Sequence, residues 1–311
     1  MSSIVTEMTF EMIISSNLDW RSEFQRLEGA YAPATMKCYY TDVEIFESWC
    51  RDRGRVPFPA ETKTVCEFLE DQAVGRAAST VRRRVYSIRK VHRLLRLPDP
   101  TRDEDINLSL RRVRRSQRSR PKQRLGCRRV YLEQFIAAQD DTVIGIRNRA
   151  ILALGYELLA RRSELAALRF GDLTWQTDGT LSVLVRRSKT DPFGSGRLAF
   201  TSQRTRKLVD DWVRYRGVHI HWLFCPVYFD KPIARSLAPE TLRDIIKDAA
   251  RRSGFDETVV REFGGHSLRV GAAQDLLLKG HDTAAIMRAG GWKSLDVLAR
   301  YLESAEHNVW A

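Results

Sequence analysis

A strongly basic segment in the middle of the chain separates two parts that can each build a hydrophobic core. Residues 106–129 include ten Lys or Arg side chains and no Asp or Glu, and few apolar residues follow Val113. Such a segment has too few apolar side chains to pack into a core of its own. Because 311 residues are enough for two cores of ordinary domain size, we predict domains at residues 1–115 and 129–311, joined by an extended basic linker at residues 116–128.

The first part of the chain has helical periodicity throughout. Apolar side chains recur at helical spacing in residues 35–51, 62–72 and 79–97, and Ser79 is the expected N-cap of the third segment. The opposite face of that third segment is predicted to be basic, with Arg82, Arg83, Arg84, Arg89, Lys90, Arg93 and Arg96. A helix of this type packs its apolar face on a core and offers its positive face to a negatively charged partner. An exposed basic face without a partner is the alternative interpretation.

The second part has a mixed pattern. Helical periodicity occurs in residues 131–139, 148–159, 162–168, 203–216, 239–253, 267–279, 282–289 and 294–302. Alternating apolar and polar side chains predict a strand at residues 181–187, after an Asp178-Gly179 turn, with a returning strand at residues 197–201. The expected fold class is therefore mainly α with a small antiparallel β-sheet.

The charge of the chain indicates a polyanionic partner. The sequence has 52 Lys and Arg against 39 Asp and Glu, a net charge of +13 and an isoelectric point near 9.8. A protein with this balance is attracted to nucleic acid at cellular salt concentrations. The basic segment at residues 106–129 is expected to contact a nucleic-acid backbone, although a solvated linker would have the same composition.

Cysteine usage and hydropathy indicate an intracellular, reduced protein. The five cysteines make an odd number without close pairs, and the N-terminus lacks the basic start and the cleavage site of a signal peptide. The longest apolar stretch, residues 150–160, contains Glu157 and is too short to cross a bilayer. His219, His221 and Cys225 fall short of four zinc ligands. We therefore expect no metal, no cofactor and no membrane association.

Side chains suited to breaking a phosphodiester bond occur in the second part. In chain order they are Arg161, Lys189, His266, Arg269, Trp292 and Tyr301. Two guanidiniums can bind the non-bridging oxygens of one phosphate, and a His and a Trp can donate further hydrogen bonds. A tyrosine can attack phosphorus, and a lysine can protonate the oxygen that leaves. Each residue alone is more often structural, but their joint occurrence favours this chemistry.

Two sequence boxes carry a resemblance to a known family. Arg161-Arg162-Ser163-Glu164-Leu165 resembles the first box of the tyrosine recombinases, the phage integrase family. Gly265-His266-Ser267-Leu268-Arg269, followed by Gly290-Gly291-Trp292 and by Tyr301, resembles the second. The similarity extends from about residue 31 to residue 301. It implies an N-terminal helical core-binding domain and a C-terminal catalytic domain that ends in a short tail.

The resemblance also implies a role for each residue of the site. Tyr301 would be the nucleophile, Arg161 and Arg269 would hold the scissile phosphate, and His266 and Trp292 would donate to it. Lys189 would be the general acid, and Glu164 would support the site from behind. Free tyrosine has a pKa of about 10, so the attack needs a proton acceptor, and His266 is the available one. Two guanidiniums stabilise the charge that metal ions stabilise in many other phosphoryl-transfer enzymes.

The function implied by the resemblance is site-specific DNA recombination. The enzyme would cleave and rejoin DNA through a 3′-phosphotyrosine intermediate and a Holliday junction, without ATP. It would clamp double-stranded DNA with inverted-repeat half-sites and join two sites as a tetramer, in the prokaryotic cytoplasm at the nucleoid. The residues expected to contact DNA are Lys37, Tyr40, Arg82, Arg83, Tyr86, Arg89, Lys90, Arg118, Arg120, Lys122, Glu240 and Arg243.

Two alternatives use the same chemistry or the same fold. A type IB topoisomerase would share the Arg, Lys, His and Tyr residues, but it would act as a monomer on supercoiled DNA. A non-catalytic DNA-binding regulator would not need Tyr301. The sequence does not determine the target site, the spacer length or the biological role.

The sequence departs from the family pattern in two places. Arg162 stands where the family usually has an apolar residue, so either arginine could be the catalytic one, and the spacing to Glu164 favours Arg161. The tail after Tyr301 is short, and Val309 and Trp310 are its candidate anchors on a neighbouring protomer.

Overall fold

The computed structural model describes residues 19–117, 123–186, 196–303 and 305. The chain divides into two compact units, Met1–Pro121 and Lys122–Ala311. Both units are mainly helical, and the second contains a small antiparallel sheet. The predicted fold class is therefore confirmed, whereas the domain bounds with a linker at residues 116–128 stay a prediction.

The first unit is a group of helices around a core of aromatic and branched side chains. Its helices are α1 Trp20–Gln25, α2 Pro33–Asp52, α3 Thr62–Ala73, α4 Ala78–Leu94 and α5 Glu104–Ser116. Phe46 of α2 packs edge-to-face on Phe68 of α3, with 5.0 Å between the ring centroids. Ile88 of α4 belongs to the same buried cluster. The three helices predicted in this part are confirmed as α2, α3 and α4.

The start of α4 differs from the prediction. Its N-cap is Ala77, which has an extended backbone and makes no side-chain hydrogen bond, and Ser79 is an exposed residue of the first turn. Alanine has the highest helix propensity, so the helix extends back to Ala78. The prediction of Ser79 as the N-cap was wrong.

One arginine of the predicted basic face is buried instead. Arg84 is 4% exposed and lies 3.7 Å from the Asp42 carboxylate, which is itself buried. Residues three and four apart share a helix face, so Arg84 lies on the same face as Val81 and Ile88, which are fully buried. The assignment of Arg84 to the exposed face was wrong, because helical geometry places it toward the core.

Helix α5 was not predicted, and it includes the start of the basic segment. Asp103 caps its N-terminus by accepting a hydrogen bond from the Asp105 backbone N–H at 2.9 Å. Ile106 and Val113 are buried on one face. The sequence signal was weak because only a few apolar residues anchor this helix to the core. The basic side chains Arg111, Arg112, Arg114 and Arg115 are exposed on its last turns.

The second unit contains nine helices in its described ranges. They are α6 Arg129–Ala137, α7 Val143–Glu157, α8 Arg162–Ala166, α9 Gln203–Arg216, α10 Pro239–Arg252, α11 Glu257–Glu262, α12 Ser267–Leu278, α13 Thr283–Gly290 and α14 Leu295–Leu302. Helix α7 is buried on most sides and packs against α6, α9 and α12. It is the centre of this core because its second half, residues 150–156, is apolar and buried on every side. The eight predicted helices are confirmed with shifted ends, and α11 was missed.

The strands of this unit form one small sheet and a separate hairpin. They are β1 Leu173–Trp175, β2 Leu181–Val185, β3 Arg197–Phe200, β4 Val227–Tyr228 and β5 Lys231–Pro232. The first three are antiparallel in the order β1-β2-β3, and Val185 pairs with Arg197. The predicted pairing of β2 with β3 is confirmed. β1, β4 and β5 were missed because two or three residues are too few to show alternation.

Three helix ends bring the candidate catalytic residues toward one place. Arg161 directly precedes α8, His266 directly precedes α12, and Tyr301 lies in the last turn of α14. Helix α12 packs against both α7 and α14. The buried core of the second unit thus positions residues that are far apart in sequence.

The described residues include no membrane-spanning helix, no disulfide and no cluster of metal ligands. None of the helices in the described ranges is long and apolar enough to cross a membrane. The five cysteines are free thiols. Among the described residues, no group of three or more His, Cys, Asp or Glu side chains could hold a metal ion.

Candidate active site

Arg161 is held in place by Glu164. The Arg161 Nη1 donates to Glu164 Oε1 at 2.5 Å, and the Arg161 backbone N–H donates to Glu164 Oε2 at 3.1 Å. The carboxylate is almost fully buried, while 14% of the Arg161 side chain is exposed. Because Glu164 satisfies one side of the guanidinium, the other donors of Arg161 can face a ligand. The geometry fits the supporting role that the sequence predicts for Glu164.

Arg269 lies fully buried with two unused donor nitrogens. Its Nη1 donates to the Leu159 carbonyl, whereas Nε and Nη2 have no hydrogen-bond partner in the described part of the chain. Burial, together with the charge of Arg161, lowers the pKa of Arg269 to about 10, so it stays protonated at neutral pH. Buried donors without a partner are rare in native proteins. A phosphate oxygen would satisfy them through charge-assisted hydrogen bonds.

Trp292 and Tyr301 surround the same guanidinium. The Arg269 Cζ lies 3.7 Å from the Trp292 ring centroid and 5.8 Å from the Tyr301 ring centroid. The two rings meet edge-to-face at 5.2 Å, and the buried Trp292 Nε1 has no hydrogen-bond partner among the described residues. The indole N–H is therefore one more donor beside Arg269 for a phosphate oxygen.

The turn after α13 sets the position of the indole. Gly291 has φ +66°, in the left-handed region, and ends the helix. A Cβ on Gly290 would collide with the Trp292 ring. On the other side of the site, Gln274 Nε2 donates to the Tyr301 carbonyl at 3.3 Å and ties α14 to α12. Gly290 is thus required by the packing of Trp292, and Gly291 by the left-handed backbone of the turn.

The His266 side chain is partly exposed, and positively charged groups surround it. Desolvation lowers its pKa, and the charges of Arg162, Arg269 and Arg161 lower it further, against an opposing contribution from Glu164. The Arg162 side chain lies across Gly265, where a Cβ would collide with it. A histidine that is neutral at neutral pH can accept a proton on one ring nitrogen and donate from the other.

Replacing Arg162 by alanine is expected to raise the pKa of His266. The substitution removes the nearby charge that contributes most, after desolvation, to the low pKa. If a neutral His266 accepts the tyrosine proton, the acid limb of the cleavage rate then moves to higher pH. Single-turnover cleavage measured across the acid range tests this expectation, with Arg214→Ala, an arginine whose side chain is 77% exposed on α9, as the control. An acid limb that does not move would contradict the assignment of His266 as the proton acceptor.

Lys189 and the predicted tail anchors lie outside the described residues. The same is true of Arg118, Arg120 and Lys122 in the basic segment. The proposed roles of these residues, including Lys189 as the general acid and Val309 and Trp310 as anchors in trans, stay predictions.

Arg197 is a residue of this site that the sequence did not reveal. Its Nη1 donates to the Ala289 carbonyl and its Nη2 to the Leu158 carbonyl, both at 2.7 Å. Nη2 also lies 3.6 Å from Glu164 Oε2. A lone arginine at the start of a strand belongs to no motif, so only the three-dimensional contacts identify it.

The predicted DNA-contacting residues of the first unit differ in exposure and in the contacts that their side chains make within the unit. Lys37, Arg82 and Tyr86 are exposed, and Arg82 donates to the Tyr86 hydroxyl. The remaining four have partners within the unit: Tyr40 packs on Trp20, Arg83 binds the buried Asp42 through two hydrogen bonds, Arg89 binds Thr101, and Lys90 binds the Tyr31 hydroxyl. Part of the predicted basic face therefore also supports the fold.

A basic groove runs between α4 and α5. Its volume is about 900 Å³, and its charged and aromatic lining consists of Arg82, Arg83, Tyr86, Arg89, Arg111 and Arg114. In the second unit, Glu240 and Arg243 are exposed at the start of α10, and Arg243 pairs with Asp244 at 2.9 Å. The groove is suited to a phosphate backbone, because it presents guanidiniums from two helices.

The site as a whole fits phosphoryl transfer to a tyrosine, and sequence comparison gives the family. The profile of the phage integrase family matches residues 129–308, more than half of the chain. The chain therefore belongs to the phage integrase family of tyrosine recombinases. The recombinase Cre of Escherichia phage P1 is 29% identical over 299 residues, which cover 91% of this chain and 87% of Cre. An integrase/recombinase XerD homologue of Selenomonas ruminantium is 28% identical over 291 residues, covering 90% and 84%.

Solved structures share the fold at lower sequence identity. The Tn1549 transposon integrase in complex with transposon right end DNA has a TM-score of 0.64 at 13% identity, covering 94% of this chain and 96% of that one. A lambda integrase dimer bound to a core site has a TM-score of 0.60 at 17% identity, covering 93% and 96%. The chain thus shares the fold of these integrases.

Proposed function

We propose that the protein is a site-specific recombinase that cuts and rejoins DNA through a covalent bond to Tyr301. The observation that carries this proposal is the group of buried donors on Arg269 and Trp292 that have no hydrogen-bond partner among the described residues and lie directly beside the Tyr301 ring. Hydrogen-bond donors without partners are stabilised by an anionic ligand. A DNA phosphate at this place would lie next to the nucleophile.

In the proposed reaction, the Tyr301 hydroxyl oxygen attacks the scissile phosphorus as the bond to the 5′ oxygen breaks. His266 accepts the tyrosine proton, and Lys189 gives a proton to the departing 5′ oxygen. Arg161 and Arg269 stabilise the charge that develops on the phosphate oxygens. The product is a 3′-phosphotyrosine ester, which keeps the energy of the broken bond. A 5′ hydroxyl of another strand can therefore reverse the reaction without ATP.

The proposed substrate is double-stranded DNA with inverted-repeat half-sites. The basic groove of the first unit and the start of α10 in the second supply the surfaces that would contact the backbone and the bases. The solved lambda integrase, which shares the fold, is a dimer bound to its core site. We propose that four protomers join two sites and exchange strands through a Holliday junction, in the prokaryotic cytoplasm at the nucleoid.

Covalent trapping on fragmented DNA tests this function. The protein is incubated with short nicked duplexes that prevent religation, and the complexes that survive denaturation are purified and their DNA is sequenced. A recombinase is expected to enrich one inverted-repeat sequence. Covalent complexes on almost any sequence would instead indicate a type IB topoisomerase. The absence of covalent complexes would indicate a non-catalytic regulator.

A further inference from the structure

Arg197 connects three structural supports of the catalytic residues. Its guanidinium contacts Glu164, which holds Arg161. It also binds the Leu158 carbonyl, and the adjacent Leu159 carbonyl binds Arg269.

The third contact of Arg197 is with the segment that leads into Trp292. Nη1 binds the carbonyl of Ala289, which precedes the Gly290-Gly291 turn into Trp292. A Cβ on Gly291 would lie 3.0 Å from Arg197 Cδ, so the arginine stem also packs on this turn. One side chain thus spans both sequence boxes of the site.

The surroundings of Arg197 make its position well defined. Its side chain is 13% exposed, and desolvation lowers its pKa, while Glu164 opposes that effect. A buried guanidinium is stable only where carboxylate and carbonyl oxygens satisfy it in a fixed geometry. Its fork of donors joins several acceptors at once, which the single point charge of a lysine does not reproduce.

We propose that Arg197 is a positioning residue, which sets the spacing between Arg161, Arg269 and Trp292 and so the alignment of the scissile phosphate with Tyr301. This inference rests on the proposed roles of those four residues. A small displacement of phosphate-binding groups reduces the rate of the chemical step more than it reduces DNA affinity, because the affinity depends on contacts distributed over the whole complex.

The same unit contains a matched control for a buried arginine. Arg216 is also buried, has a pKa lowered by desolvation, and donates to the carbonyls of Gly217, Ile220 and Trp222. It supports the end of α9 and contacts none of the candidate catalytic residues in the described part of the chain. If replacing any buried, carbonyl-binding arginine slows cleavage by damaging the structure, Arg197→Lys and Arg216→Lys should lower the cleavage rate equally.

The test measures single-turnover cleavage of a nicked duplex that carries the sequence identified by the trapping experiment. The measurement is made at a temperature where circular dichroism shows that each protein is folded. The amplitude reports the active fraction, and the rate constant reports the chemical step. Arg197→Lys is expected to lower the rate constant by about ten- to a hundred-fold, as misplaced catalytic groups do. Its affinity for DNA, measured separately, should stay near that of the unchanged protein. Arg216→Lys should lower thermal stability but keep the rate constant.

The possible results separate this inference from the proposed function. If Arg161→Ala lowers the cleavage rate as the proposed site requires and Arg197→Lys cleaves at the normal rate, the positioning role is wrong and the site is right. If Arg161→Ala cleaves normally, the proposed site itself is wrong. Equal rate constants in the two lysine variants, or failure of Arg197→Lys to fold at any temperature, would assign Arg197 a purely structural role and overturn the inference.

Discussion

Replacement of Tyr301 by phenylalanine is expected to eliminate the covalent complex and leave DNA binding intact. Phenylalanine keeps the ring that packs against Trp292 at 5.2 Å and lies 5.8 Å from the Arg269 Cζ. Only the attacking oxygen is lost. Removing a nucleophile commonly lowers a rate by many orders of magnitude, so we expect a decrease of at least about 10,000-fold. Denaturing gels of protein on nicked DNA measure the covalent product, and a mobility-shift assay measures the affinity.

Tyr215→Phe is the matched control for this experiment. Tyr215 is 55% exposed on α9, and its hydroxyl should not affect cleavage. A covalent complex formed by Tyr301→Phe at the normal rate would show that another residue attacks the DNA. Loss of DNA binding in the same variant would show that the hydroxyl contributes to binding rather than to chemistry alone.

Arg161→Ala is expected to lower the cleavage rate by about a hundred- to a thousand-fold, the usual effect of removing one donor that stabilises transition-state charge. The substitution also leaves the buried Glu164 with Arg197 as its remaining arginine partner, at 3.6 Å. Arg162→Ala should keep most of the rate at pH values where His266 is neutral in both proteins. Arg162 packs across Gly265 and acts on His266 through its charge.

The pair of variants decides which arginine of the first box binds the phosphate. Both proteins are compared by single-turnover cleavage on the same nicked DNA, and thermal unfolding checks that each is folded. If Arg162→Ala lost cleavage and Arg161→Ala kept it, the register of the box would move by one residue. The contact between Arg161 and Glu164 would then be a structural ion pair without a catalytic consequence.

Local patterns in the sequence predicted much of the fold. The long helices α2, α4, α7 and α12 appear where apolar side chains recur at helical spacing, because that spacing is itself the condition for packing on a core. The N-cap at Ser79 was wrong, and α5 was missed, because helix ends and weakly anchored helices depend on tertiary contacts. Arg84 was misassigned because its burial depends on Asp42, a residue 42 positions earlier in the chain.

The sequence by itself determined the residue types of the site, their order and the family to which they belong. Those properties follow from the motifs, since the chemistry of phosphoryl transfer needs particular side chains. Only the tertiary structure decided how they are held: Arg269 buried with unused donors against Trp292, Arg162 lying over Gly265, and Arg197 bridging the two boxes. The physical reason is that burial and hydrogen bonding between distant segments arise from packing of the whole core, and no local pattern encodes them.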